Sequence, residues 1–273
     1  MTVGEAIRAA AERLAATSDT ARLDAELLMA HALGISRSDM LLRAMRDPAP
    51  EGFAALAERR AAHEPVAYIT GVQEFYGRAF AVEPGILIPR GDSETLVEAA
   101  LEACPFPRRV LDLGIGSGAL LLTILAERSG AFGAGIDKSA VAIDVAGENA
   151  IALGIENDWE LHCRSWREEG WADGLGTFDL ILCNPPYVKD DAQLDAQVRD
   201  FEPASALFAG PEGLDDYRIL IPQLRALMNP QAVAILEIGA DQAEPVGALA
   251  AASGFGVDLR RDLAGRARAL ILR

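Results

Sequence analysis

Cysteine and histidine are scarce, three of each in 273 residues. Cys104, Cys163 and Cys183 lie far apart and form no C-x-x-C pair, a pattern of reduced thiols and not of a disulfide framework. His31, His63 and His162 are equally dispersed. No two have metal-ligand spacing, so no metal site is expected. Basic residues are in deficit, 25 Lys and Arg against 41 Asp and Glu, for a net charge of -16. That deficit leaves no basic excess to release counterions from phosphates, which argues against nucleic acid as a direct partner. The opening segment, MTVGEAIRAAAERLAATSDT, mixes charge with alanine and has no apolar h-region. No hydrophobic run approaches a membrane-spanning length. Internal repeats and low-complexity tracts are absent. A cytoplasmic protein that is monomeric and makes no membrane contact is expected.

What is present is a hydrophobic half of the residues, enough for a substantial core. From Val3 to Glu64 the pattern is helical. Val3, Ile7 and Leu14 share a face, DAELLMAHALG (24–34) ends on a capping glycine, and PEGFAALAERRAAHEP (50–65) is bracketed by prolines. Residues 1–64 therefore read as a small helical domain placed to recognise a substrate. From Pro65 to Pro89 the texture becomes β-branched and aromatic, punctuated by Gly71, Gly77 and Gly85, as in a linking hairpin or small extended module. From Arg90 to the end strands and helices alternate. RVLDLG, FGAGID, WELHCRS, FDLILC and AVAILEIG read as strands, GALLLTILAERS, AVAIDVAGENAIALG and LDDYRILIPQLRALM as helices between them. Helical QAEPVGALAAASG and strands around VDLRRDL and ALILR close the chain. Alternation of this kind predicts an α/β, Rossmann-like, doubly wound parallel sheet with an antiparallel strand near the C-terminus.

VLDLGIGSG sets Gly114, Gly116 and Gly118 between a strand and a helix, where residues without side chains let backbone amides approach a ligand. Dinucleotide sites prefer G-x-G-x-x-G. Here the spacing is G-x-G-x-G with Asp112 two residues ahead, which resembles the first motif of class I S-adenosylmethionine-dependent methyltransferases. A dinucleotide site and a plain glycine turn remain alternatives at this point. The next strand ends on Asp137, where a carboxylate can accept from ribose hydroxyls. Trp166 follows the third strand and reads equally as a core residue or as a platform for adenine.

DLILCNPPY raises the question of why a core strand should run into Asn-Pro-Pro-Tyr. In a doubly wound sheet the strand would deliver Asn184 to the mouth of the crevice. Pro185 and Pro186 fix φ and remove amide donors, and Asn184, preceding proline, is held extended. The result is a stiff bracket of acceptors, with Tyr187 able to wall the pocket or stack on a flat substrate. Acceptors suit an NH2 group on a planar carbon, whose conjugated lone pair is a poor nucleophile. Full loss of amide conjugation would cost about 18–20 kcal/mol, far more than two hydrogen bonds of about 1 kcal/mol each supply. The bracket can instead hold the nitrogen in line with a methyl sulfonium and favour partial pyramidalisation. [DN]-P-P-[YFW] is shared by enzymes that methylate adenine N6, cytosine N4 or glutamine N5, so it names a class of nitrogen and no single substrate.

EPVAYITGVQEFYG, LIPRGDSETLVE, NPPYV, FEPASALFAGPEGLDDYR, LEIG and DLAGRARALILR occur in this order. As a set they closely resemble the protein-(glutamine-N5) methyltransferases of peptide chain release factors, the HemK/PrmC family, over nearly the full chain. The resemblance implies methyl transfer from S-adenosyl-L-methionine, leaving S-adenosyl-L-homocysteine, to the glutamine of the release-factor Gly-Gly-Gln loop. Gly114, Ile115, Gly116, Ser117, Gly118 and Asp137 would then bind cofactor together with Asn184, and Trp166 would pack on adenine. Asn184, Pro185, Pro186 and Tyr187 would hold the glutamine amide, with Asn184, Pro185 and Tyr187 as the catalytic set. Arg90 is assigned to positioning near the pocket, with a surface salt bridge as the alternative. The family usually has Arg-Pro-Asp-Thr-Glu where this chain has Arg90-Gly-Asp-Ser-Glu94, and Asp where it has Ser165. Rival readings are a ribosomal-protein glutamine methyltransferase, a nucleic-acid amino-methyltransferase and a non-catalytic binding protein that kept the fold.

Overall fold

The computed structural model describes all 273 residues, which fall into two compact units. One comprises Met1–Val72 and Leu194–Glu202, the other Gln73–Gln193 and Pro203–Arg273.

The first unit is helical, with α1 (Val3–Leu14), α2 (Ala21–Leu33), α3 (Arg37–Asp39) running into a π-helical stretch at Met40–Ala44, α4 (Phe53–Ala61) and α5 (Val66–Thr70). A capping box starts α1, where Thr2 and Glu5 satisfy each other's backbone amides. Gly34, at φ 67°, ends α2 in the left-handed conformation that glycine adopts without a Cβ clash. Val3, Ile7, Leu14, Leu28, Met29 and Met40 fill the core. Within it α2 and α4 are joined by a buried ion pair, Arg60 Nε to Asp24 Oδ2 at 2.7 Å. Ser18 and Thr20 also donate to the Asp24 carboxylate, so the buried charge is well solvated by the protein.

Sequence pattern makes the whole of 65–89 extended, yet α5 is a helical turn. Its β-branched Thr70 satisfies the helix directly, Oγ1 donating to the Val66 carbonyl at 3.0 Å, and Ala67, Tyr68 and Ile69 are buried. Local propensity has yielded to burial. The hairpin follows as β1 (Val72–Phe75) and β2 (Arg78–Ala81). Tyr76 and Gly77, both at positive φ, make the two-residue turn whose twist suits a hairpin.

The second unit continues with α6 (Glu94–Ala103), β3 (Arg109–Leu113), α7 (Ala119–Glu127), β4 (Phe132–Asp137), α8 (Ala140–Ala152), β5 (Trp159–Cys163) and β6 (Phe178–Cys183). After α9 (Ala196–Arg199), which lies in the helical unit's return segment, come α10 (Asp215–Leu224), β7 (Met228–Glu237), α11 (Ala243–Ala252), β8 (Val257–Arg261) and β9 (Ala267–Leu272). Seven strands form one sheet in the order β5-β4-β3-β6-β7-β9-β8. Neighbours from β5 through β7 are parallel, and β9 runs antiparallel to both β7 and β8. Alternate residues serve opposite faces. Val110, Leu180 and Leu182 pack with α6, α7, α8 and the hairpin phenylalanines. Leu111, Leu113, Ile181 and Cys183 pack with α10 and α11. Chain order reverses between β3 and β6, which opens the crevice where such sheets bind ligands.

Candidate functional site

Strand register sets the site. Leu113 pairs with Ile136 on one side and Cys183 on the other, and Cys183 pairs with Leu236. The residues that follow, Gly114, Asp137, Asn184 and Glu237, therefore form a row along the carboxyl edge of the sheet. Above it lies a cleft open to solvent. Among the sequence candidates, Arg90, Gly114, Ile115, Gly116, Ser117, Asp137, Trp166, Asn184 and Pro186 line it; Gly118, Pro185 and Tyr187 do not.

The glycine loop works differently from a cradle of free amides. Gly114 and Ile115 both donate to the Ile136 carbonyl at 2.9 Å, and Gly118 donates to Ile115 at 2.8 Å. Gly116 donates to Asp137 Oδ2 at 3.0 Å, while Ser139 donates to Asp137 Oδ1 at 2.9 Å. Most of the loop's hydrogen bonds thus orient the loop and its acid, and what the glycines offer a ligand is space. All three have positive φ. A Cβ on Gly114 would meet Trp166 Cη2 at 3.3 Å, and one on Gly118 would stand 2.7 Å from Leu122 Cδ1. The first glycine admits the indole, and the third lets α7 start close beneath the loop.

Trp166 is a core residue that also forms part of the cleft wall. Its Nε1 donates to buried Asp216 Oδ1 at 2.8 Å. Asn184 is half-buried, and no hydrogen bond inside the chain engages its carboxamide. Tyr187 is tied down instead. Its backbone donates to Leu207 at 3.1 Å and accepts from Gln242 Nε2 at 3.0 Å, and its hydroxyl donates to Glu237 Oε1 at 3.3 Å. Burial and the neighbouring Glu237 push the phenol well above its ordinary range.

Three residues of this site receive no role from the motif reading. Glu237 is fully buried, accepts from Ser93 Oγ at 2.6 Å, and burial pushes its carboxyl up to about 6. An acid ending an apolar strand, AVAILE, is the signal that marks it. Asn149 is buried in α8, donating to Ser117 O at 2.8 Å and Ala81 O at 3.0 Å while accepting from the Ala81 amide at 2.8 Å. It binds the glycine loop to the hairpin. Lys138 closes a wall, Nζ donating to the Ser205 carbonyl at 3.0 Å. Three polar residues anchor the Arg90–Glu94 turn, Asp92 to Arg266 and Arg268, Ser93 to Glu237, and Glu94 to the Tyr76 amide.

A family model described as the PrmC N-terminal domain matches residues 5–71, and one described as the methyltransferase small domain matches residues 91–209. The chain is 43% identical over 276 residues to the release factor glutamine methyltransferase of Cereibacter sphaeroides, covering 98% of this chain and 97% of that one. It is 42% identical over 261 residues to the enzyme of the same name from Rhodospirillum rubrum, covering 92% and 78%. Among solved structures it resembles ribosomal protein L11 methylase from Lactobacillus delbrueckii subsp. bulgaricus, with TM-score 0.50 and 26% identity over 70% of this chain and 83% of that one.

Proposed function

The chain belongs to the release factor glutamine methyltransferases, and on that premise we propose that it methylates the side-chain amide nitrogen of the glutamine in the Gly-Gly-Gln loop of peptide chain release factors, using S-adenosyl-L-methionine. The carrying observation is Asn184, whose unengaged carboxamide lines the same cleft as the glycine loop, Asp137 and Trp166. The cleft fits the cofactor. At Gly116 a Cβ would point into open space, so the loop leaves room where a side chain would intrude. Asp137, aimed by two backbone amides, keeps lone pairs for ribose hydroxyls, and Ile115, Leu120 and Trp166 supply apolar and aromatic wall.

S-adenosylmethionine, when bound, supplies an electrophilic methyl on a sulfonium. The chain's own residues do the rest by placement. Asn184 Oδ1 accepts an N–H of the substrate carboxamide and turns its nitrogen toward the cofactor side of the cleft. Pro185 and Pro186 stiffen that acceptor, so little conformational entropy is lost on binding. Tyr187 holds the end of the bracket. No strong base is required, because the amide nitrogen becomes more acidic as it gains the methyl group.

The helical domain, 1–64, recognises the release factor in this reading, 65–89 links, and 90–273 carries the chemistry. The net charge of -16 favours a protein substrate over nucleic acid, and the enzyme acts as a cytoplasmic monomer. The test is purified protein with labelled cofactor and either release factor or DNA, alongside Asn184→Ala. Label should enter the release factor alone. The variant should lose about 10²-fold or more in turnover while its cofactor affinity changes far less. Equal losses in both quantities, or label in DNA, would contradict the assignment.

A further inference from the structure

Glu237 closes the row Gly114, Asp137, Asn184, Glu237, and nothing in the chemistry above uses it. Its two oxygens serve two segments of the site. Oε2 accepts from Ser93 Oγ at 2.6 Å and Oε1 from Tyr187 Oη at 3.3 Å. Ser93 lines the cleft, and Tyr187 directly follows Pro186, which also lines it. The strand beneath is clamped, since Tyr217 Oη donates to the Glu237 carbonyl at 2.6 Å.

We propose that Glu237 is a positioning residue for methyl transfer, acting as a carboxylate that holds the Asn184–Tyr187 bracket at a fixed spacing from the Arg90–Ser93 turn. An ionised carboxylate accepts from both hydroxyls at once. A protonated one donates from one oxygen, so one hydroxyl must reverse to accept from it, and both contacts lose their charge assistance. The anchor therefore has two states. The groups facing it are Arg268 from β9, which favours the anion, and Asp92 from the turn before α6, which opposes it. Tyr187 and Cys183 from the β6 end and Tyr217 from α10 complete its surroundings. Because burial pushes its carboxyl up to about 6, the charge-assisted anchor weakens as pH falls through that value and is restored above it.

The inference rests on the function proposed above, and the experiment separates the two. Wild type, Glu237→Gln, Tyr187→Phe and the double variant are assayed for kcat and KM on release factor from pH about 5 to 8, with cofactor affinity and thermal unfolding measured on the same samples. Wild type should show an acid limb near pH 6 in kcat. Glu237→Gln should lose about 10- to 100-fold in kcat at neutral pH and lack that limb, with cofactor affinity unchanged and unfolding no earlier than wild type. Tyr187→Phe should reproduce both changes, and the double variant should be no worse than the poorer single one. The positioning role is overturned by a Glu237→Gln enzyme of wild-type kcat, by one that retains the acid limb, or by a loss accounted for by cofactor affinity or unfolding. Should Glu237→Gln not fold, Tyr187→Phe decides alone, and wild-type kcat with the limb intact overturns the role. A wild-type enzyme that never methylates release factor would refute the function itself.

Discussion

Asp112 stands at the end of β3, 1% exposed, with Oδ2 accepting the Leu121 amide at 3.3 Å and Oδ1 without a partner. Burial pushes its carboxyl up to about 7, and Asp137 nearby adds to the rise. A folded value above the unfolded 3.8 means that the native state keeps a proton which the unfolded chain releases. Its contribution is therefore complete below about pH 4 and lost as pH rises through about 7, with a size on the order of 4 kcal/mol. Asp112→Asn keeps the shape without the charge. Denaturant unfolding at several pH values should show wild-type stability falling across this window and the variant falling less; parallel curves would refute the buried-acid account. At this scale Asn184, Asp137 and the glycines were legible because proline, glycine and acid sit at strand ends in recognisable spacing. Glu237 and Asn149 were not, because a single buried polar residue acquires meaning only from partners distant in sequence, Ser93 for one and Ala81 for the other.

The hairpin and the glycine loop meet through Asn149, one side chain in the last turn of α8 that makes three hydrogen bonds to their backbones. Replacing it with alanine leaves the Ala81 amide and the Ser117 carbonyl to find other partners. Asn149→Ala should destabilise the protein by about 2–4 kcal/mol and weaken cofactor binding, measured by denaturant unfolding and calorimetric titration. Unchanged cofactor affinity would show that the loop needs no tie to the hairpin. Elements with strong periodicity were readable in advance. β4 and β6 have the ends that FGAGID and FDLILC predict, and β9 supplies the antiparallel partner near the C-terminus. Two elements were not. α5 carries β-branched residues that suggest a strand, and its helical form depends on burial. β7 begins at Met228, four residues before the apolar run at Ala232, with Gln231 at positive φ and a register shift against β6. A bulge of this kind has no signature in hydrophobic pattern.

At the scale of the whole molecule, fold class and family follow from the order of motifs along the chain. The extent of the helical unit does not. Residues 1–64 carry its periodicity, while the compact unit runs to Val72 and includes Leu194–Glu202. The account as a whole requires one covalent change on one atom. Release factor incubated with enzyme and S-adenosylmethionine, then digested and fragmented in the mass spectrometer, locates it directly. A single added methyl on the side chain of the Gly-Gly-Gln glutamine, missing when Asn184→Ala replaces the wild type, is the predicted result. An unmodified glutamine beside a methylated residue elsewhere, or equal methylation by the variant, would contradict it.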